Sequence, residues 1–259
     1  MYTWMIVLGI AFTFLMTVLG ASLVFCFKKD VSSKLNTAFL GIASGIMLAA
    51  SMWSLLLPAL EQAEKDFGKT AFLPVAIGFL LGGALLVLLE KITLILKNEG
   101  GRYSFTDETS KKSGRLFLAV TLHNIPEGLA VGFAFGAAAM SGTLAGYTTA
   151  LGLAIGMGIQ NFPEGAAVAL PMRNGLRSNK KAFFYGVASG IVEPVFSVIG
   201  FFLAVLQTLQ PWLLSFAAGA MIYVVSEDLL PDIHEDRKTG AWGMMLGFVL
   251  MMVFDVALG

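Results

Sequence analysis

The sequence predicts an all-α polytopic membrane protein of eight transmembrane helices. Of its 259 residues 57% are hydrophobic, and the mean hydropathy of +0.80 is far above what a soluble domain needs. Apolar runs of at least about 17 residues, the minimum for a spanning helix, recur along the whole chain. These runs are uninterrupted and rich in Gly and Ala, which suits packed helices and not the alternating strands of a barrel.

The predicted spans lie at about 4–27, 35–60, 71–96, 116–140, 143–172, 182–207, 211–230 and 241–257. They make one transmembrane domain over 1–259 and leave no room for a separate soluble one. The first span opens with "MYTWMIVLGIAF", which has neither a basic n-region nor a small-residue cleavage site. It therefore reads as a retained helix and not as a signal peptide. It carries Cys26, the sole cysteine, which cannot form an internal disulfide.

The second span holds Met47 in "SGIMLAAS" and ends near Glu61, Glu64 and Asp66, acids that ordinary solvation explains as well as cation attraction does. After the third span comes "KNEGGRYSFTDETSKKSGR", residues 97–115, which is polar and without apolar periodicity. It is expected to be a cytoplasmic loop and the most mobile part of the chain, dividing three spans from five.

The fourth and fifth spans contain "TLHNIPEGLAVG" and "GIQNFPEGAAVAL". The sixth contains Glu193 in "VASGIVEPVFSVIG", and the seventh ends in "YVVSEDLLPDIHEDRK". Asp255 in the eighth lies 17 residues beyond Lys238 and reads best as a structural partner for a neighbouring helix or a group near the outer surface.

Basic residues set the orientation. Alternate loops hold 15 of the 17 Lys and Arg, and only Lys65 and Lys69 lie on the other side. The basic loops are then cytoplasmic and both termini are outside, in the periplasm or extracellular space. The formal net charge of zero hides this asymmetry, which points to membrane orientation and not to nucleic-acid binding.

With that topology the polar groups converge in depth. Arg115 precedes His123 by 8 residues and Glu127 by 12, while Glu164 and Gln160 precede Arg173 by 9 and 13. Glu193 is 12 residues beyond Lys181, and Met47 is 13 beyond Lys34. At about 1.5 Å per residue these groups lie roughly 12–20 Å from the cytoplasmic surface, near the middle of the hydrocarbon.

His123 and Glu127 share a helix face by their i,i+4 spacing, as do Gln160 and Glu164, while Asn124 and Asn161 lie about 100° round. Pro126 and Pro163 free the carbonyls of Leu122 and Ile159, which is tolerated at this depth only against protein or a water-filled cavity. One imidazole, three carboxylates, amide side chains and a thioether thus share a layer that has no Lys or Arg. One divalent cation, or two bridged by carboxylates, would supply the missing charge. The mixture of N, O and S donors suits zinc or ferrous iron better than calcium or magnesium.

A single intramembrane glutamate is explained equally well by protonation, and a His–Glu pair by a staple between helices. Two copies of the motif and a third acid at matching depth make the metal reading the stronger one. In the seventh span the plainer reading is a solvated acidic helix end. An exit or regulatory metal site at Asp228, Asp232, His234 and Glu235 is the alternative.

The segments HNIPEG at 123–128, QNFPEG at 160–165, SGIVEP at 189–194 and "SEDLLPDIHE" resemble the ZRT/IRT-like protein (ZIP) family of divalent metal transporters, on its prokaryotic GufA-like side. The resemblance implies a 3+2+3 arrangement of helices with inverted repeats, elevator-like alternating access and often a dimer. It also implies a binuclear centre. One metal is held by Met47, His123, Glu127, Gln160 and Glu164, the other by Asn124, Glu127, Asn161, Glu164 and Glu193.

Zinc, or a similar ion such as cadmium, iron or manganese, is then substrate, and no catalytic cofactor is needed. The expected setting is a bacterial inner membrane, with the lipid bilayer and metal ions as partners. Two rivals remain from other classes. One is an intramembrane metalloenzyme, against which stands the absence of HExxH or any nucleophile–base pair. The other is a structural or sensory protein stapled by metal.

Overall fold

The structure, a computed structural model, describes residues 2–26, 32–99 and 108–258. Side chains outside the described set include those of 93–99 and 108–116 and of Glu90, His123, Asp228, Asp232, His234 and Glu235. Every regular element among the described residues is helical: α1 Thr3–Cys26, α2 Ser33–Ala50, α3 Leu57–Phe67, α4 Phe72–Glu99, α5 Glu108–Ser141, α6 Leu144–Leu176, α7 Asn179–Gly190, α8 Val192–Leu203, α9 Gln210–Val224, α10 Leu230–Asp232 and α11 Arg237–Leu258. Among the described residues five stretches are long and apolar enough to cross a membrane: Thr3–Cys26, Thr37–Thr70, Phe72–Leu89, Asn179–Leu203 and Arg237–Ala257. The expected fourth, fifth and seventh spans fall on α5, α6 and α9.

Local chemistry accounts for several helix ends. Ser32, Thr143 and Ser178 accept from backbone N–H groups at the starts of α2, α6 and α7. Asp236 caps α11, taking the Thr239 hydroxyl at 2.7 Å and its backbone N–H at 3.2 Å. Those bonds, the hydroxyl's first, hold the Asp236 carboxyl below its usual range. The cap therefore stabilises fully above the ordinary carboxylate range and weakens as pH falls through the lowered value. Helix α3 ends at Gly68, whose φ of 55° is the left-handed conformation that glycine adopts freely.

Two elements differ from the expected spans. The second runs on through a π-helical turn, Ser51–Leu56, into α3 as far as Phe67. The sixth is broken at Ile191 between α7 and α8, three residues before Pro194. Helix α4 also continues to Glu99 and α5 begins at Glu108, both inside the polar 97–115 segment.

Glycine decides which helices touch backbone to backbone. A Cβ on Gly20 would overlap the Phe162 carbonyl, and one on Gly165 the Thr17 carbonyl, so α1 and α6 are in backbone contact. The same holds for α5 and α8 (Gly128 on Glu193, Gly132 on Ser197, Gly200 on Leu129), for α2 and α11 (Gly45 on Met244, Gly247 on Ile42), and for α4 and α9 (Gly82 on Phe216, Gly219 on Phe79). Residue numbers rise in the same direction along both members of each pair, so all four seams are parallel. Helices α5 and α6, joined by Gly142 and Thr143, pack antiparallel between them.

The seams gather the helices into two bodies. Helices α1, α5, α6, α7 and α8 form one, and α2, α4, α9 and α11 the other, with α3 packed on α9. Between the bodies α2 lies on α6 and α5 on α9. The described glycine that crosses this boundary, Gly156, meets only the flexible thioether of Met251.

Gly132→Ala should lower thermal stability by roughly 1–3 kcal/mol, the usual cost of overpacking. Gly83→Ala, whose added Cβ would find its nearest neighbour at 3.7 Å, should be neutral or stabilising in the same melting measurement.

Candidate metal centre

The centre is assembled where α5 and α6 cross α1, α2 and α8. The two motifs are 37 residues apart, so His123, Asn124, Glu127 and Gly128 correspond to Gln160, Asn161, Glu164 and Gly165. Pro126 and Pro163 sit inside their helices and cannot donate to Leu122 and Ile159. Gly128 and Gly165 let the backbones of α8 and α1 come close, and the neighbouring asparagines reach carbonyls of α7 and α1.

Each asparagine uses that reach. Asn124 Nδ2 donates to the Ser189 carbonyl at 2.8 Å, at the end of α7 beside the break. Asn161 Nδ2 donates to the Thr13 carbonyl at 3.3 Å and to Glu193 Oε2 at 2.7 Å. Gln160 Nε2 donates to Glu127 Oε1 at 2.5 Å, bridging α6 and α5. The amide N–H groups are thus spent on the framework, and their oxygens are turned the other way.

The burial is nearly complete. Met47, Glu127, Gln160, Asn161 and Glu193 are 0% exposed, Asn124 1% and Glu164 2%. Among the described residues five oxygens of this set meet no donor: Asn124 Oδ1, Glu127 Oε2, Gln160 Oε1, Asn161 Oδ1 and Glu193 Oε1. Glu127 faces the charge of Glu164 and of Glu193. The one basic side chain in the described buried set is Arg173, 9% exposed and nine residues along α6 from Glu164, about 13 Å by helical rise.

No group of three His, Cys, Asp or Glu among the described residues could hold a metal ion by itself. The described acceptors that lie with the carboxylates are amide oxygens. The structure brings together Glu127, Gln160, Asn161, Glu164 and Glu193 through these bonds and charges, while Asn124 is held on the Ser189 carbonyl. Met47 lies fully buried on α2, which packs on α6. The backbone of His123 is in α5, but its side chain lies outside the described residues, as do those of Asp228, Asp232, His234 and Glu235.

Thr13 and Ser189 are contacts of the site that the sequence did not reveal. Each offers its backbone carbonyl to an asparagine, for which an apolar helix gives no side-chain signal, and the Thr13 side chain also bonds Glu193. Ser197, four residues after Glu193 on α8, is also buried with its hydroxyl unsatisfied.

Comparison with known proteins agrees with this chemistry. The profile described as "ZIP Zinc transporter" matches residues 107–255, which takes in α5 to α11 almost whole. The chain belongs to the ZIP zinc transporter family. The human zinc transporter ZIP11 is 39% identical, over 97% of this chain and 96% of its own length. The zinc transporter GufA of Myxococcus xanthus is 37% identical, over 89% and 90%. The zinc transporter ZIPB of Bordetella bronchiseptica is 36% identical, over 98% and 81%. ZIP proteins are transporters and not enzymes, and this ZIP chain is an integral membrane protein whose family gives no role to a catalytic cofactor.

Asn161→Asp would replace the donor to Glu193 Oε2 with a second carboxylate. The metal-free protein should lose roughly 2–5 kcal/mol of stability at neutral pH, the cost of breaking a buried charge-bonded pair. Denaturation midpoints of parent and variant in chelator would measure it.

Proposed function

We propose that the chain carries divalent transition-metal cations, zinc foremost and cadmium, iron or manganese as related substrates, toward the cytoplasm through the layer formed by Met47, His123, Asn124, Glu127, Gln160, Asn161, Glu164 and Glu193. The observation that carries this is the set of five fully buried acceptor oxygens without donors. Each such group costs about 1–3 kcal/mol to bury unsatisfied, and a cation is the partner that serves oxygens of amides and carboxylates alike.

The donors fall into two overlapping sets. Met47, His123, Glu127, Gln160 and Glu164 take one ion, and Asn124, Glu127, Asn161, Glu164 and Glu193 take a second, with the two glutamates bridging. Amide oxygens are weak ligands, so the shell favours release as well as capture. Acidification weakens binding, because the carboxylates and imidazole bind metal only when deprotonated.

Alternating access is of the elevator type. The body of α1, α5, α6, α7 and α8 carries most of the donors and moves against the body of α2, α4, α9 and α11. Support comes from the glycine seams, which lock helices within each body and spare the boundary between them. Eight passes in a 3+2+3 arrangement fit the four parallel seams, since each joins helices that cross in the same sense.

The repeat also relates Thr13 to Ser189 as the two asparagine acceptors, and Thr17 to Glu193 as the residues met by Gly165 and Gly128. That is the pattern of an inverted repeat about α5 and α6. Both termini lie outside, the membrane is the bacterial inner membrane, and the working unit is a homodimer. The acids of the α9 end, Asp228, Asp232 and Glu235 with His234, stand at the cytoplasmic exit.

Radiolabelled zinc uptake into proteoliposomes tests the reading. The parent should show saturable uptake, and folded Glu127→Ala and Glu164→Ala variants should fall by about 100-fold or to background. Uptake equal in parent and variants would sink it. Hydrolysis of a membrane substrate without flux would instead favour the metalloenzyme.

A further inference from the structure

Helix α2 passes into α3 through the π-helical turn Ser51–Leu56, and α9 passes into α10 through a second one, Val225–Leu229. Each turn ends two residues before a proline in the same order, Leu56-Leu57-Pro58 and Leu229-Leu230-Pro231. The ring is the cause. Pro58 has no N–H for the Ser54 carbonyl and presses on it, as Pro231 does on that of Glu227. Widening the turn relieves the clash: Leu57 N–H donates to Met52, and Leu230 N–H to Val225, each five residues back. Such turns are local, can shift by one residue and recur at functional sites.

The two turns bracket the buried oxygens. Ser54 is seven residues past Met47 in the outward direction, about 10 Å along the helix, whereas Val225–Leu229 leads toward cytoplasmic Arg237 and Lys238. They are held differently. In the inner turn the Ser226 hydroxyl donates back to Ile222 at 2.9 Å. Ser226, Leu230, Pro231 and Arg237 there line an open surface groove of about 510 Å³.

In the outer turn the Ser54 hydroxyl leaves its own helix and donates to Asp255 Oδ1 of α11 at 2.5 Å. Ser44, Ser51 and Ser215, by contrast, bond the carbonyl four residues earlier in their own helices. Asp255 is the sole acid of α11. It lies eight residues past Gly247 of the α2–α11 seam, and Glu90 lies eight past Gly82 of the α4–α9 seam. The register therefore places an acid at the outer end of one seam and at the inner end of the other.

Resting on the transport reading, we infer that Ser54 and Asp255 are positioning residues that form a latch, pinning the π-turn that follows α2 to α11 so that the outward half of this span stays rigid within its body while the other body moves. The turn shifts only when the Ser54–Asp255 bond breaks. Neither residue belongs to the metal layer.

Hydrogen–deuterium exchange on the full chain in nanodiscs tests the latch, with zinc uptake by the same proteins in proteoliposomes as the second readout. Ser54→Ala and Asp255→Asn should each speed exchange at 51–57 by roughly tenfold, as loss of a charge-assisted bond would, with 225–230 unchanged. The double variant should be no faster than either single one. Unchanged exchange at 51–57 in Ser54→Ala overturns the latch, as does equal acceleration at both turns. A rise in the KM for zinc with exchange unchanged also overturns it and assigns Asp255 to the cation in the outer mouth. If the parent moves no zinc, the transport reading fails while the exchange result still decides the latch.

Discussion

Three carboxylates buried close together set the terms for everything around them. Glu127, Glu164 and Glu193 are at most 2% exposed, and such burial is sustained only where each oxygen has a partner or a cation to meet. The amides are the local answer. Asn161 and Gln160 give their N–H groups to Glu193 and Glu127, and Asn161 and Asn124 fix themselves on carbonyls of α1 and α7. What is left over is a group of buried acceptor oxygens, which the proposed function assigns to a cation.

The backbone serves the same end. Gly128 and Gly165 bring the backbones of α8 and α1 within contact, and Asn124 and Asn161 reach across to carbonyls of α7 and α1. These glycine seams fasten α1 to α6 and α5 to α8, so the polar groups are carried on one firmly packed unit. Met47 alone among the named donors comes from the opposite body. A donor set divided across a sparsely glycine-packed boundary is one whose composition changes when the boundary slides.

Much of this was legible in the sequence. The helices announce themselves by apolar length, and counting to basic anchors set Glu127, Gln160, Glu164 and Glu193 at one level, where the structure joins them by bonds and charges. Legibility stopped where backbone did the work. Thr13 and Ser189 contribute carbonyls, which leave no trace in residue type. The prolines at 58 and 231 were visible, but the π-turns they impose depend on how the chain redistributes its bonds. Asp255 was read as a structural acid, and its bond to Ser54 needed the α2–α11 register.

If the transported ion rests on the buried oxygens of this layer, crystals of the full chain grown with zinc and measured on both sides of the zinc absorption edge should show it there. The anomalous peak should lie among Glu127, Gln160, Asn161 and Glu164 and be absent from a Glu127→Ala, Glu164→Ala double variant. Anomalous density confined to surface acids such as Glu61, Glu64 and Asp66, with the buried amides and carboxylates still bonded only to one another, would contradict it.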